Sequence, residues 1–330
     1  MSAQRSANEP KNISDVLKIL SSSEASTHRC AFFSNMVCMN VGASANSIKT
    51  DQNAVLLIHG LAGSSLEVAR LGQILQKSGL AVLTPNIPGF AYGTPVSAWQ
   101  SWVEAVRAHL QTLTATYATV SIVGISMGAT LCMEVATHDD VAALVLLAPG
   151  MAYDGWAVPW YRFMLPIARY LPFRNLYRYI EAEPFGVKNV TMRAAVKKML
   201  EDRHEAEVGG ESISFDQLAQ GDALIAHIRR RIDLISAPLI IMHAVDDESV
   251  HPRNAQYIFD HASSADKELI LLGDCYHMIT VDNERDTVFY ETEMFIKRSV
   301  NTRLGRTVFD VPQQMPRSLE RLAKWTQAMA

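Results

Sequence analysis

The sequence holds little from which to build a disulfide framework or a metal knuckle. Only four cysteines occur in 330 residues, Cys30, Cys38, Cys132 and Cys275, and none forms a Cys-x-x-Cys pair. That usage reads as reduced thiols of a cytoplasmic chain. An excess of one charge is missing too: 30 Lys and Arg stand against 34 Asp and Glu, a formal charge of −4. This excludes the global positive field that draws nucleic acid or anionic lipid, so no nucleic-acid partner is expected. Nowhere do about 18 apolar residues run uninterrupted, and the first residues carry no apolar core followed by a small-residue cleavage site. The expectation is a cytoplasmic protein with no stable membrane insertion. No internal repeat is found.

What is present is a globular balance, 48% hydrophobic and 19% charged, with size enough for a large core. Residues 1–50 read as a lead-in rich in Ser, Asn and Ala, with helical spacing at Asn12–Leu20 and a strand pattern at Ala31–Val41. From Ala54 the signal sharpens. Ala54–Ile58 is a short apolar run ending in a Gly-rich loop, as for a strand buried on both faces. Helical spacing over Leu66–Ser78 and a strand at Leu80–Pro85 follow. Ser97-x-x-Gln100 has the form of a capping box before an amphipathic helix through Trp99, Trp102, Val103, Val106, Leu110 and Leu113. A strand at Val120–Gly124, a helix at Met127–Thr137 and a strand at Ala142–Pro149 continue the alternation, which predicts a parallel sheet with helices on both faces.

The alternation breaks at Gly150. Ten aromatic residues crowd into residues 151–185, of which Trp156, Trp160, Tyr161 and Phe163 read as the core of a small helical lid, and a charged, helix-favouring stretch follows to Arg231. The pattern then resumes with a strand at Pro238–Ala244, a helix near Arg253–Ala262, a strand at Glu268–Leu272 and a last helix at about Asn283–Arg298. One α/β core, 51–150 with 236–300, interrupted by a helical lid at 151–235, accounts for this. A tail at 301–330 carries Leu319, Leu322, Trp325 and Met329 at helical steps, an amphipathic helix that packs on the protein's own surface in the simplest reading and meets a membrane interface or a partner in the alternative one.

Chemistry concentrates in four places. Gly124-Ile125-Ser126-Met127-Gly128 matches G-x-S-x-G between a buried strand and a helix, where a sharp turn leaves the serine strained and exposed. A serine hydroxyl needs a base, and the base needs an orienting acid. Later in the chain, Asp246 and Asp247 follow one late strand and His277 follows the next, in the order Ser, Asp, His. His243 and His251 flank the aspartates, but no third residue has metal-ligand spacing, so structural or surface roles fit them better. Cys132 falls on the core face of its helix and Cys275 just before His277, neither with a base of its own. Asp282, five residues past His277, reads as a cap of the last helix or as a residue that supports the site from behind.

Leu56–Ser65, Val123–Ala129, Met242–Pro252 and Cys275–Asp286 together resemble the bacterial carboxylesterases and monoacylglycerol lipases of the α/β-hydrolase superfamily, in order over roughly Asn53–Val300. The resemblance implies the α/β-hydrolase fold and a serine esterase with no metal or organic cofactor. Ser126 would be the nucleophile, His277 the general base and Asp247 the orienting acid. Asp247 stands three residues before Val250 and five before Pro252, as the family's aspartate does. Asp246 remains the alternative. By the same resemblance the backbone amides of Leu61 and Met127 form the oxyanion hole, and His59 shapes its loop rather than serving as a second base. The implied substrate is a small acyl ester with an apolar acyl group. A thioesterase or acyltransferase using the same triad is the enzymatic alternative, and a catalytically silent binding protein the non-enzymatic one. Nothing in the sequence sets the oligomeric state.

Overall fold

A computed structural model describes residues 50–159, 161–162, 177–180, 182–203, 205–206, 208–210 and 212–312. The lead-in, the C-terminal amphipathic helix, Cys30 and Cys38, and the aromatics Trp160, Phe163, Tyr170 and Phe173 lie outside the described residues.

Apolar alternation dictates the layers. In β1 (Thr50–Ile58), Ala54, Leu56 and Ile58 enter one buried cluster and Val55 and Leu57 the other, as a two-residue side-chain period requires. After α1 (Ala69–Lys77) and β2 (Ala81–Leu83) come α2 (Trp99–Thr116), β3 (Tyr117–Ile125), α3 (Met127–Ala136) and β4 (Leu144–Leu147). A long connection then holds β5 (Arg178–Ile180), α4 (Val190–Arg203), β6 (Glu205–Ala206), β7 (Gly209–Gly210), β8 (Ser212–Ser214) and α5 (Phe215–Ile228). The chain returns through β9 (Leu239–Ala244), α6 (Arg253–His261), β10 (Lys267–Leu272) and α7 (Arg285–Leu304).

Six strands pair in the order β10-β9-β4-β3-β1-β2, all parallel. Residues of α2, α3, α5 and α6 share one core cluster, and residues of α1, α4 and α7 the other. All ten residues of α3 are buried, because the helix lies between the sheet, α2 and α5. Each aliphatic side chain so buried contributes about 1.5–3 kcal/mol. The segment expected as a lid is thus mixed: its last helix, α5, buries Leu224, Ile225 and Ile228 in the same cluster as Trp102. Two separate two-stranded pairs, β5 with β8 and β6 with β7, precede it. Among the described residues no helix is long and apolar enough to cross a membrane.

Several local expectations are corrected. Ser97 does not cap α2: the helix starts at Trp99 behind Ala98, with no side-chain cap. Trp102 is fully buried and its indole N–H needs an acceptor, which the Ser97 hydroxyl supplies at 3.0 Å. A capping box does occur, unread in the sequence, where Ser214 and Gln217 open α5. The strand expected at Leu80–Pro85 stops at Leu83. The last helix runs to Leu304 and ends on Gly305 at φ 61°, a left-handed cap. Asp282 does not cap it, because Glu284 holds that position.

In register, Ile58 pairs with Gly124, Ile125 with Leu147, Leu147 with Met242 and Ala244 with Leu272. The carboxyl ends of these strands therefore share one edge. Chain order reverses there between β1 and β3, the place where open α/β sheets leave a crevice.

Candidate active site

Ser126 sits between β3 and α3 at φ 53° and ψ −121°, a strained conformation for a residue with a side chain. Two glycines permit it. A Cβ on Gly124 would stand 2.4 Å from the Gly128 carbonyl oxygen, and one on Gly128 would stand 2.1 Å from that of His59. Backbone atoms cannot yield at such distances, so the turn into α3 requires glycine at both.

His277, in the loop after β10, places Nε2 2.9 Å from Ser126 Oγ, while its Nδ1 lies 2.8 Å from Asp247 Oδ2. A carboxylate only accepts, so Nδ1 carries a proton and Nε2 is left to accept from the serine hydroxyl. Asp247, after β9, is buried. Its Oδ1 accepts from the backbone N–H groups of Ser249 at 2.9 Å and Val250 at 2.7 Å. Burial alone would raise its carboxyl, but the charge of His277 and hydrogen bonds from His243 and His277 hold it well below the usual carboxylate range. Asp246, the alternative, points outward and pairs with Lys188 at 3.0 Å. The geometry joins Ser126, His277 and Asp247 and leaves Asp246 out.

Leu61 follows His59-Gly60 after β1. The His59 imidazole is fully buried and burial pushes it down to about 4, so it is neutral and donates Nδ1–H to the Gly60 carbonyl at 2.8 Å. The Gly60 N–H in turn donates to the buried carboxylate of Glu67 at 2.5 Å. His59 therefore shapes the loop that presents the Leu61 amide, and Glu67 secures it from the other side. Met127 is the first residue of α3, so its N–H is one of the helix's unpaired N-terminal donors at the positive end of the dipole.

Three further residues support the site: Glu248 and His243, to which the sequence assigned no such role, and Asp282, for which support was the alternative to capping. Glu248 accepts the His277 backbone N–H at 3.0 Å. His243 reaches Asp247 at 3.3 Å. Asp282 accepts four backbone N–H groups, those of Lys188, Asn189, Tyr276 and Asn283, at 2.7–2.9 Å. It thereby ties the His277 loop to the segment before α4. Glu67 announced itself only as an acid in the first turn of a helix and Glu248 only as one in a polar loop, signals too common to single them out.

The other candidates fall away from the chemistry. His251 is exposed and its Nδ1 accepts from the Arg253 N–H. Among the described residues no cluster of three His, Cys, Asp or Glu could hold a metal ion. Burial pushes the thiol of Cys132 up strongly and that of Cys275 up to about 12, so neither supplies a thiolate. Trp156, expected in the core of a lid, is 64% exposed, its indole N–H 3.3 Å from the Asp246 carbonyl.

A cavity opens over Ser126 and His277. Leu61, Val158, Val208, Ile213, Leu218 and Met278 give it apolar walls, and Tyr153, Tyr161, Tyr177 and Tyr179 border it.

The chain is also similar to known proteins. Residues 49–286 match the family model Hydrolase_4, described as "Serine aminopeptidase, S33". The chain is 27% identical over 261 residues to a thermostable monoacylglycerol lipase of a Bacillus species, covering 74% of this chain and 88% of that protein. It is 22% identical over 263 residues to a carboxylesterase of Bacillus subtilis, covering 76% and 95%. Among solved structures, the monoacylglycerol lipase of Paleococcus ferrophilus superposes with a TM-score of 0.64 at 17% identity, over 77% of this chain and 97% of that one.

Proposed function

We propose a function from the premise that this chain belongs to the serine aminopeptidase S33 family of hydrolases: it is a serine hydrolase that cleaves carboxylic esters with an apolar acyl group. Two of its relatives, named as a monoacylglycerol lipase and a carboxylesterase, support ester chemistry over the peptide chemistry in the family's description. The observation that carries the reading is the unbroken line from Ser126 Oγ through His277 to Asp247, 2.9 and 2.8 Å long.

Ser126 Oγ attacks the ester carbonyl carbon while its proton passes to His277 Nε2. The carbonyl oxygen becomes an oxyanion, which the amides of Leu61 and Met127 receive, each worth about 3 kcal/mol to the transition state. Asp247 holds the imidazole in the tautomer that can accept, and steadies the imidazolium that forms. The tetrahedral intermediate collapses by breaking the bond to the leaving alcohol, whose oxygen takes the proton from His277. Water then attacks acyl-Ser126, giving its proton to His277, and the acid product leaves as Ser126 is reprotonated.

The apolar walls of the cavity support an apolar acyl group. Val158, Val208 and Ile213 come from the connection between β4 and β9, which supports a covering role for that segment over Ser126. Buried thiols at Cys132 and Cys275 support a reducing, cytoplasmic setting.

The test is labelling with a fluorophosphonate probe alongside turnover of p-nitrophenyl esters from acetate to longer chains. Wild type is expected to label at Ser126, to turn over, and to prefer chains longer than acetate; Ser126→Ala is expected to lose labelling and turnover together. Activity that survives in Ser126→Ala would sink the mechanism, and a flat acyl preference would sink the apolar pocket.

A further inference from the structure

β9 lies inside the sheet between β4 and β10, and its residues Leu239, Ile240, Ile241, Met242 and Ala244 are apolar and fully buried. A strand covered on both faces is served by aliphatic side chains at every position. His243 is the exception, and it too is fully buried. Its Nδ1 has no hydrogen-bond partner among the described residues. The imidazole thus carries a desolvation cost that a leucine or methionine would not.

The other nitrogen accounts for its presence. Nε2 lies 2.8 Å from the Val250 carbonyl oxygen and 3.3 Å from Asp247 Oδ2. Both partners are acceptors, so Nε2 bears the proton and donates it to the Val250 carbonyl, with Asp247 Oδ2 the second acceptor in front of it. The Val250 N–H meanwhile donates to Asp247 Oδ1 at 2.7 Å. His243 therefore grips both the carboxylate and the far end of the turn that carries it. Oδ1 is fixed by two backbone donors, whereas Oδ2 faces only side chains, His277 at 2.8 Å and His243 at 3.3 Å.

We infer that His243 is a positioning residue for the hydrolytic reaction: its Nε2–H fixes the orientation of the Asp247 carboxylate, and through it the imidazole of His277 on the line to Ser126. The inference rests on the catalytic reading given above. The lowered pKa of the Asp247 carboxyl is consistent with it, since His243 is one of the groups that favour its ionised form. Without this donor, Oδ2 would be free to follow the His277 N–H as the ring takes up the Ser126 proton, and the base would lose its alignment. Misalignment of about an ångström in such a line costs as much as about 100-fold in rate.

The decisive pair is His243→Gln and His243→Met. Glutamine brings an amide N–H near the place of Nε2, while methionine has similar length and no donor. Hydrolysis of p-nitrophenyl butyrate is followed across pH in wild type, both variants and Asp247→Asn, with circular dichroism melts to show folding. Methionine is expected to lower kcat roughly 10-fold to 100-fold with KM within about twofold, and glutamine to keep kcat within about threefold. The acidic limb of the kcat/KM profile moves to higher pH in the Met variant, because a carboxylate with one donor fewer holds the His277 proton more tightly. Equal kcat in the two variants overturns the inference. So does failure of either to fold, which would assign His243 to packing. Asp247→Asn separates the two levels: if it turns over like wild type, the catalytic reading itself has failed. A collapse in Asp247→Asn beside an unaffected Met variant sinks only the role of His243.

Discussion

The backbone N–H of His277 donates to the buried carboxyl of Glu248 at 3.0 Å, so the residue beside Asp247 holds the main chain of the imidazole that Asp247 orients. The loops after β9 and β10 are therefore joined twice, once through a side chain and once through the backbone.

Glu248 gives a pH signature. Burial raises its carboxyl above the ordinary 4.5, the charge of His277 offsetting only part of this. A raised carboxyl contributes stability below its unfolded value and loses it as pH rises through the folded one. Glu248→Gln is therefore expected to melt higher than wild type at neutral pH, with the gap closing as pH falls toward 4.5. The amide oxygen still accepts the His277 N–H, so activity stays within about threefold, whereas Glu248→Ala loses about tenfold in kcat. Parallel melting curves for wild type and the Gln variant across pH 4–8 would contradict this account.

Asp247 and Asp246 separate by environment. Asp247→Asn is expected to cost about 10⁴ in kcat, since the asparagine favours the wrong imidazole tautomer. Asp246→Asn removes only an exposed pair with Lys188, worth about 0–1 kcal/mol, and should leave kcat within about twofold. The stability contributed by the depressed Asp247 carboxyl is present above its ordinary value of 3.8 and lost as pH falls through the folded one. Acid unfolding of Asp247→Asn should accordingly depend less on pH than that of wild type. Similar kcat in the two variants would refute the assignment.

Asp282 binds four backbone donors from two segments. Asp282→Ala leaves them unpaired, and about 2–4 kcal/mol of stability should be lost in urea titration, some donors regaining water. Turnover should fall with it, because Tyr276 next to His277 is one of the four. A variant that loses neither would show the cluster to be incidental.

Gly128→Ala drives a Cβ to 2.1 Å from the His59 carbonyl oxygen. The helix start and the β1 loop must move apart, and this displaces the Met127 and Leu61 amides. The expected result is a loss of at least about 3 kcal/mol and of fluorophosphonate labelling. A folded, labelling Gly128→Ala variant would disprove the tight approach.

The core strands were legible because each is short, apolar and bounded by Gly or Pro: Ala54–Ile58, Val120–Gly124 and Pro238–Ala244 all fall within a few residues of observed strands. The serine elbow was legible because its glycines answer a local steric demand. Ser97 misled because its hydroxyl has two possible uses, cap or indole acceptor, and only the burial of Trp102 selects between them. Trp156 misled because aromatic content does not say which side of a loop faces water.

Sequence alone determined the elements, their order and the residue types able to do acyl chemistry, since hydrophobic period and glycine placement are local properties of the chain. It ranked Asp247 above Asp246 only by motif spacing. Tertiary structure made that choice physical, burying one carboxylate beneath His277 and leaving its neighbour on Lys188. It alone showed what Glu248 and Asp282 hold, because their contacts join segments that follow different strands. Such contacts depend on strand order and register, which close only when the whole sheet has formed.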